Sequence, residues 1–566
     1  MVFVPFFNGA HANDCADDGQ EDAYGKAGEN FKSAMPVGVI LVGRALGDPQ
    51  SDVNEARCKA VRSGFEAVRN HGNRVGGKAR QNLNYRKARA HRYADQGCTG
   101  GSSLGRELGH DYEIILAAQR VSRALPVTMA AMRHRLERYF EFQRLGATWR
   151  TEALAGATTF VTMSYIIFVN PSVLRDAGMP FQAVVAATCC CAALGSILMG
   201  LLARYPIALA PGMGLNAYFA YTVVKGMGVP WETALGAVFL SGVAFLVLTA
   251  AGIRQLVLEA IPTELYAAVA AGIGLFIAMI GLRNAGIIVA NPSTLVALGN
   301  LRDKNTALAL FGLALTSVLL GRGVRAAMLL GILGTTLAGI VFGLVQWSPG
   351  AYRVAAIMAT AGKLNVRGAL HIGLLEIVFV FLFVDLFDNV GTLVGVGKKA
   401  GLFDATGHIP RLNRILFADA AATLAGSIAG TSTVTSYIES AAGVVAGGRT
   451  GVTAVVTGLL FIAALFVAPL VGAVPVAATA PALILVGSLM ISHTAEIRWS
   501  EPSIAIPAFL TILTIPLTFS IATGLSIGFT AFALMKLVRG ELHRKDWLVY
   551  ALAAIFIARL IYLGGL

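Results

Sequence analysis

The sequence predicts an all-α polytopic membrane protein, and three observations predict it. Mean hydropathy is +0.67, and 56% of residues are apolar while only 14% are charged, well outside the composition of soluble domains. From residue 153 onward, apolar runs of roughly 15–22 residues follow one another with short polar breaks, lengths that suit α-helices crossing a hydrocarbon core of about 30 Å. The runs are continuously apolar rather than alternating, which argues against a transmembrane β-barrel. The third observation is chemical: Glu376, Asp385, Asp388 and Glu439 stand inside these runs. A carboxylate at membrane depth is costly unless it faces protein or a water-filled cavity, so such acids mark functional sites.

The net charge of +13 does not point to nucleic acid. About half of the Lys and Arg precede residue 151, and the rest sit mainly in loops between apolar runs, the pattern that orients a membrane protein. Cys189, Cys190 and Cys191 are consecutive within an apolar run and have no His or Cys at ligand spacing. They read as packing residues, and no metal site, cofactor or disulfide framework is expected.

Taken in order, residues 1–131 are rich in Gly, Ala, Asn, Asp, Arg and Lys, with no helical or strand period. They read as a disordered cytoplasmic extension or as upstream sequence joined by a mis-assigned start. The second is preferred, because Met132 opens MRHRLERYFEFQRLGATWR, a basic amphipathic lead-in over 132–152. The opening MVFVPFF is too short for a signal-peptide core and lacks a basic start.

A first repeat, 153–347, holds spans near 153–175, 182–203, 207–224, 232–251, 264–284, 306–320 and 325–347. A second, 371–538, holds spans near 371–397, 412–428, 433–447, 450–473, 478–492, 503–517 and 521–538. A C-terminal hydrophobic segment, 546–566, follows; its apolar stretch 546–563 suits either a crossing or an interfacial helix. With residue 150 in the cytoplasm, Arg204, Arg254, Arg322, Arg325, Lys398, Lys399, Arg449, Arg498 and the run Arg539–Lys545 fall on the cytoplasmic side, as expected, whereas Arg302, Lys304, Lys363 and Arg367 do not.

Two segments interrupt their own spans. Pro211-Gly212-Met213-Gly214 cannot continue a regular helix, since Pro removes a donor and Gly favours extension. Gly430–Thr435 is likewise a poor membrane helix but a good extended entry to one. Short helices are expected from near Leu215 and near Tyr437, with free N–H groups at their starts. Asn170 and Asn389, Phe168 and Phe387, and Leu174 and Leu393 match at one constant spacing, and the same spacing matches Ala210 to Ala429 and Tyr218 to Tyr437. Interrupted segments in corresponding halves are the best sequence pointer to a transporter's binding site. Close packing of small residues alone would also favour glycine here, but it leaves Glu439 unexplained. Asp385, Asp388 and Asn389 share one helix face at i, i+3 and i+4. Glu376, near the start of its span, reads as interfacial, and Asn170, before Pro171, as a cap for backbone freed at the helix end.

TEALAGATTFVTMSYIIFVNP (151–171), APGMGLNAYF (210–219), VDLFDNVGTLVGVG (384–397) and GTSTVTSYIESAAGVVAGGRTG (430–451) resemble signature segments of the AzgA-like purine permeases. These adenine, guanine and hypoxanthine transporters belong to the nucleobase–cation symporter-2 group of xanthine/uracil permeases. The resemblance covers about 140–566. It implies fourteen spans in two inverted seven-helix repeats, with a core domain of spans 1–4 and 8–11 and a gate domain of spans 5–7 and 12–14. Spans 3 and 10 would be half-helices. It further implies proton symport of purine bases through the plasma (bacterial inner) membrane, and a homodimer paired through the gate domain. Carried over by motif, Asn216 is the third-span polar residue, Asp385 and Asp388 the eighth-span acids, and Glu439 the tenth-span acid.

Purines present N–H donors beside ring-nitrogen acceptors, and a carboxylate accepting from two of those donors holds one firmly. Asn216, Asp388, Glu439, Phe219, Phe387 and Thr435 are therefore the candidate substrate-binding residues, with Phe219, Phe387 or Tyr437 offering a ring to stack on. Asp385 and Glu439 are the candidates for proton coupling, because a carboxyl withdrawn from water can carry a proton near neutral pH, and neighbouring acids titrate as a set. His371, His408 and His493 sit at span ends and read as solvated or capping. An anion exchanger of the same architecture is disfavoured, since the acids repel an anion. A membrane-embedded enzyme is disfavoured because no Ser–His set or metal spacing appears. A sodium-coupled carrier stays open, with oxygens around Thr431–Thr435 as ligands.

Translation from Met132 is expected to give a chain that inserts and transports as well as the full one; loss of membrane abundance or uptake in that truncation identifies 1–131 as a working part.

Overall fold

At membrane depth every backbone N–H and C=O must find a partner within its own segment or a neighbour, and this constraint makes most of the chain helix. The computed structural model describes residues 132–252, 262–345, 358–371, 375–401, 409–467, 471–540 and 547–563. The expectation for 1–131, together with Arg254, His408 and most of the Arg539–Lys545 run, lies outside the described residues.

After the lead-in come α1 (Trp149–Met163), α2 (Ile166–Asp176) and α3 (Phe181–Leu198), which runs on as a π turn through Ala203. Strand β1 (Leu209–Pro211) enters α4 (Met213–Ala217), continued as a π-helix over Tyr218–Gly226. Then follow α5 (Trp231–Ala250), α6 (Thr263–Asn284), the exposed hairpin β2 (Ile288–Asn291) and β3 (Leu295–Leu298), α7 (Lys304–Gly321) and α8 (Ala327–Val341). The second half holds α9 (Leu375–Ala400), α10 (Leu412–Ala429), β4 (Val434–Ser436), α11 (Ser440–Val445) and α12 (Gly451–Ala464). It ends with α13 (Val476–Ile491), α14 (Pro502–Thr518), α15 (Ile521–Val538) and α16 (Trp547–Leu563).

Among the described residues, eight helices are long and apolar enough to cross a membrane, joined by shorter apolar helices at Ala327–Val341, Gly451–Ala464, Pro502–Thr518 and Val549–Ile561. The first of these spans is broken rather than continuous: Ser164 and Tyr165 form a turn between α1 and α2. Side chains such as Leu337 and Val341 on α8 and Phe509 and Leu517 on α14 leave an exposed apolar outer surface.

Helix α6 packs against α13 and α14, and α12 against α1 and α3. The α6–α13 crossing is a backbone contact: a Cβ added at Gly274 would stand 2.8 Å from the carbonyl oxygen of Gly487, so larger residues would force the helices apart. Three charged groups tie the ends of elements together. The Glu152 carboxylate, fully buried in α1, accepts from Arg449 N at 2.9 Å, Thr450 N at 3.1 Å, Thr453 N at 3.2 Å and the Thr453 hydroxyl at 2.6 Å. It therefore caps α12, filling donors that a helix start leaves open. Glu141 of the lead-in accepts from Arg411 at 2.8 Å and Arg204 at 3.5 Å and pairs with Arg144. Glu376 pairs with Arg559 of α16, whose other guanidinium nitrogen donates to Ser526 of α15 at 3.0 Å.

The Glu376 side chain is 13% exposed and bonded to the C-terminal helix, so its charge is met by Arg559 rather than left to solvent. Within the apolar stretch expected at 546–563, Trp547–Leu563 is a helix packed on α15, with Val549, Ala553 and Phe556 buried.

Replacing Glu152 by Ala is expected to strand several buried donors and lower stability by about 3 kcal/mol, with Glu152→Gln losing less; thermal unfolding of the detergent-purified protein measures both.

Candidate functional site

The two interrupted segments meet. Strands β1 and β4 pair antiparallel, with Leu209 opposite Ser436, Ala210 opposite Thr435 and Pro211 opposite Val434. The ladder continues at both ends, through Gly212 N to Thr433 O at 2.8 Å and Tyr437 N to Ala208 O at 3.0 Å. Each strand has its outer edge closed by one hydroxyl. Ser196 of α3 accepts from Leu209 N at 3.0 Å and donates to Leu209 O at 3.1 Å. Thr423 of α10 accepts from Val434 N at 3.2 Å and donates to Val434 O at 2.9 Å.

This ladder sets where the short helices begin. Gly212, extended at φ −71° and ψ 119°, caps α4, so the helix starts at Met213, two residues before the expected Leu215. Tyr437 is held by Ala208 O, and Ser440 Oγ accepts from Ala208 N at 3.0 Å, so α11 begins only at Ser440. Glu439 is consequently the cap residue of α11, not a residue inside it.

The acids on α9 and before α11 face this crossing. A Cβ added at Gly212 would lie 2.9 Å from the Thr435 methyl and 3.7 Å from Asp388 Oδ2, which places Asp388 beside the paired strands. Asp388 is close enough to Glu439 for their charges to interact. Tyr165, in the turn between α1 and α2, donates to Glu439 Oε1 at 2.7 Å. Tyr437 donates to the carbonyl of Pro211 at 2.5 Å. Asn389, next to Asp388, accepts from Ser436 Oγ at 3.1 Å. Asp385 is buried one turn earlier on the same helix.

Asn216 is fully buried and donates to Asn170 Oδ1 at 2.6 Å. Asn170 in turn donates to Thr188 at 2.7 Å and Thr431 at 3.1 Å. It therefore bonds side chains of three other segments, and not, as expected, the backbone of its own helix end. Several buried polar atoms here have no protein partner among the described residues: Asn216 Oδ1, Asn389 Nδ2, Ser432 Oγ, Thr433 Oγ1 and Thr435 Oγ1. Buried polar groups are normally satisfied, so this concentration of spare donors and acceptors suits a polar solute, an ion or water.

The two phenylalanines sit in packed surroundings. Phe219 is fully buried near Phe381 at 6.4 Å between ring centroids. Phe387 packs on Tyr266 at 4.5 Å and Phe383 at 4.9 Å; successive helix residues diverge by about 100°, so its ring turns away from Asp388. Tyr165 was not singled out in the sequence, although a lone Tyr inside TMSYIIF was the available signal. His371 is exposed, and His493 lies 3.5 Å from Glu496. Cys189 and Cys191 are buried and Cys190 exposed, all as free thiols.

A family model described as the permease family matches residues 150–527. The chain belongs to the permease family. This permease is 45% identical over 430 residues to the adenine permease AdeP of Escherichia coli, covering 76% of this chain and 97% of that one. It is 44% identical over 440 residues to the guanine/hypoxanthine permease PbuG of Bacillus subtilis, covering 76% and 100%. In fold it is similar to the transmembrane domain of a cyanobacterium bicarbonate transporter, BicA, with a TM-score of 0.51 at 15% identity over 68% of this chain and 98% of that one. It is a multi-pass membrane permease and not an enzyme.

Tyr165→Phe removes a charge-assisted donor from Glu439 and is expected to weaken solute affinity about tenfold, with membrane abundance unchanged; concentration-dependent uptake reads this out.

Proposed function

We propose that this permease is a secondary transporter that imports purine nucleobases with protons by alternating access. The observation that carries the reading is the convergence of Asp388 and Glu439, from distant parts of the chain, beside the β1–β4 crossing and its unfilled polar atoms. Relatives named as adenine and guanine/hypoxanthine permeases, matched along nearly their whole length, supply the solute class. A purine's N–H groups suit two carboxylates and the Asn216 carbonyl, each an acceptor.

In this reading Asp388, Glu439, Asn216 and Thr435 bind the base, and Tyr437 offers a ring edge above Pro211. Phe219 and Phe387 shape the site from behind rather than stack on the base. Glu439 and Asp385 carry the proton. Counting β1–α4 and β4–α11 as interrupted crossings gives a 7+7 arrangement, with α16 additional to it. The outward and inward states would then differ by movement of the core around α9 against the helices around α6 and α13. The matching roles of Ser196 and Thr423 support an inverted repeat. A homodimer paired through the gate helices completes the proposal, in the bacterial inner membrane.

Uptake of radiolabelled adenine and hypoxanthine, with and without a protonophore, tests it. Uptake is expected to be saturable, to collapse with the protonophore, and to fall at least about a hundredfold in Asp388→Asn and Glu439→Gln, as when a charged hydrogen-bond partner is lost. Asp385→Asn is expected to transport with weakened proton dependence. Uptake that survives the protonophore but requires sodium would replace the proton by Na⁺, and absence of purine uptake would overturn the reading.

A further inference from the structure

A chain of hydrogen bonds fixes which end of the Asn216 amide is left open. It starts at Val184 O, a carbonyl that can only accept, so the Thr188 hydroxyl, 2.6 Å away, must spend its single proton there. Thr188 Oγ1 can then only accept from Asn170, 2.7 Å away, which turns the Asn170 NH₂ toward Thr188 and Thr431 and its carbonyl oxygen toward Asn216. Asn216 must answer that carbonyl with its own NH₂, at 2.6 Å. What remains is Asn216 Oδ1, fully buried and without a protein partner among the described residues. All three residues are fully buried, so water does not compete for these bonds.

We infer that Thr188 and Asn170 are positioning residues that set the polarity of Asn216, so that it presents an acceptor and selects a solute bearing an N–H donor at that point. The inference rests on the proposed nucleobase site but is separate from it: neither Thr188 nor Asn170 is assigned to touch the base. Reversing the relay would leave an NH₂ facing outward, which repels an N–H and donates to a ring nitrogen instead. Selectivity between bases is thereby written partly into α3, away from the solute.

The experiment is radiolabelled purine uptake by the full chain, competed by N-methylated purines that each lack one N–H donor. If the wild type takes up no purine, the functional reading fails and the inference, which rests on it, falls with it. If it does, at least one methylated purine is expected to bind about tenfold more weakly than its parent. In Thr188→Val, which keeps shape but removes the hydroxyl, that discrimination is expected to shrink to within about twofold and KM to rise, while maximal rate and membrane abundance hold. Thr188→Ser, which keeps the hydroxyl, is expected to restore both. Should Thr188→Val not reach the membrane, a second pair decides: Asn170→Asp keeps an acceptor against Asn216 and should keep the discrimination, whereas Asn170→Leu removes it and should not. Unchanged discrimination in Thr188→Val, or equal discrimination in the two Asn170 variants, overturns the inference.

Discussion

Non-helical backbone inside a membrane is stable only when something other than water satisfies it, and here two interrupted segments satisfy each other. Three-residue strands have no independent stability. They persist because the pairing of Leu209–Pro211 with Val434–Ser436 extends through Gly212 and Tyr437, and because Ser196 and Thr423 each close an outer edge with one hydroxyl. An unpaired amide there would cost several kcal/mol, so these two hydroxyls are as much part of the pairing as the strands. The crossing in turn fixes the starts of α4 and α11, and with them the positions of Asn216 and Glu439.

The same geometry explains Gly212. Its missing side chain leaves room for the Thr435 methyl of the paired strand, with Asp388 Oδ2 of α9 close by. A Cβ here would press on the Thr435 methyl of β4, at 2.9 Å, while standing at ordinary contact distance, 3.7 Å, from Asp388 Oδ2. The glycine serves the close approach of β4 more than the turn itself, which at φ −71° any residue could adopt.

Much of this was legible in the sequence. Spans 521–538, 412–428 and 232–251 fall within a residue of α15, α10 and α5, because an apolar run in lipid has few alternatives to helix. The interruptions at Pro211-Gly212 and Gly430–Thr435 were readable from Pro and Gly alone. Their mutual pairing was not, since register depends on partners brought from elsewhere in the fold, and so the start of α11 was placed too early. The partner of Glu376 was hidden for a related reason: Arg559 lies in the C-terminal segment, and no local pattern links the two. The role of Asn170 was likewise hidden, as its partners sit on α3, α4 and the β4 entry.

The buried and half-buried acids can be ordered by how far the protein has used their acceptor capacity. A carboxylate has room for about four donors. Glu152 takes four, and moving it would strand a helix start; Glu141 is shared among three arginines; Glu376 is neutralised by Arg559. Glu439 takes one side-chain donor, from Tyr165, and stands near another acid instead of a base. A saturated acid is a fastener, since any new ligand must first break what it already holds. An acid with spare acceptors and a like charge beside it gains from any incoming donor or proton. By that measure Glu439, with Asp388 near it, keeps acceptor capacity for a new donor, whereas Glu152, Glu141 and Glu376 are committed to the scaffold.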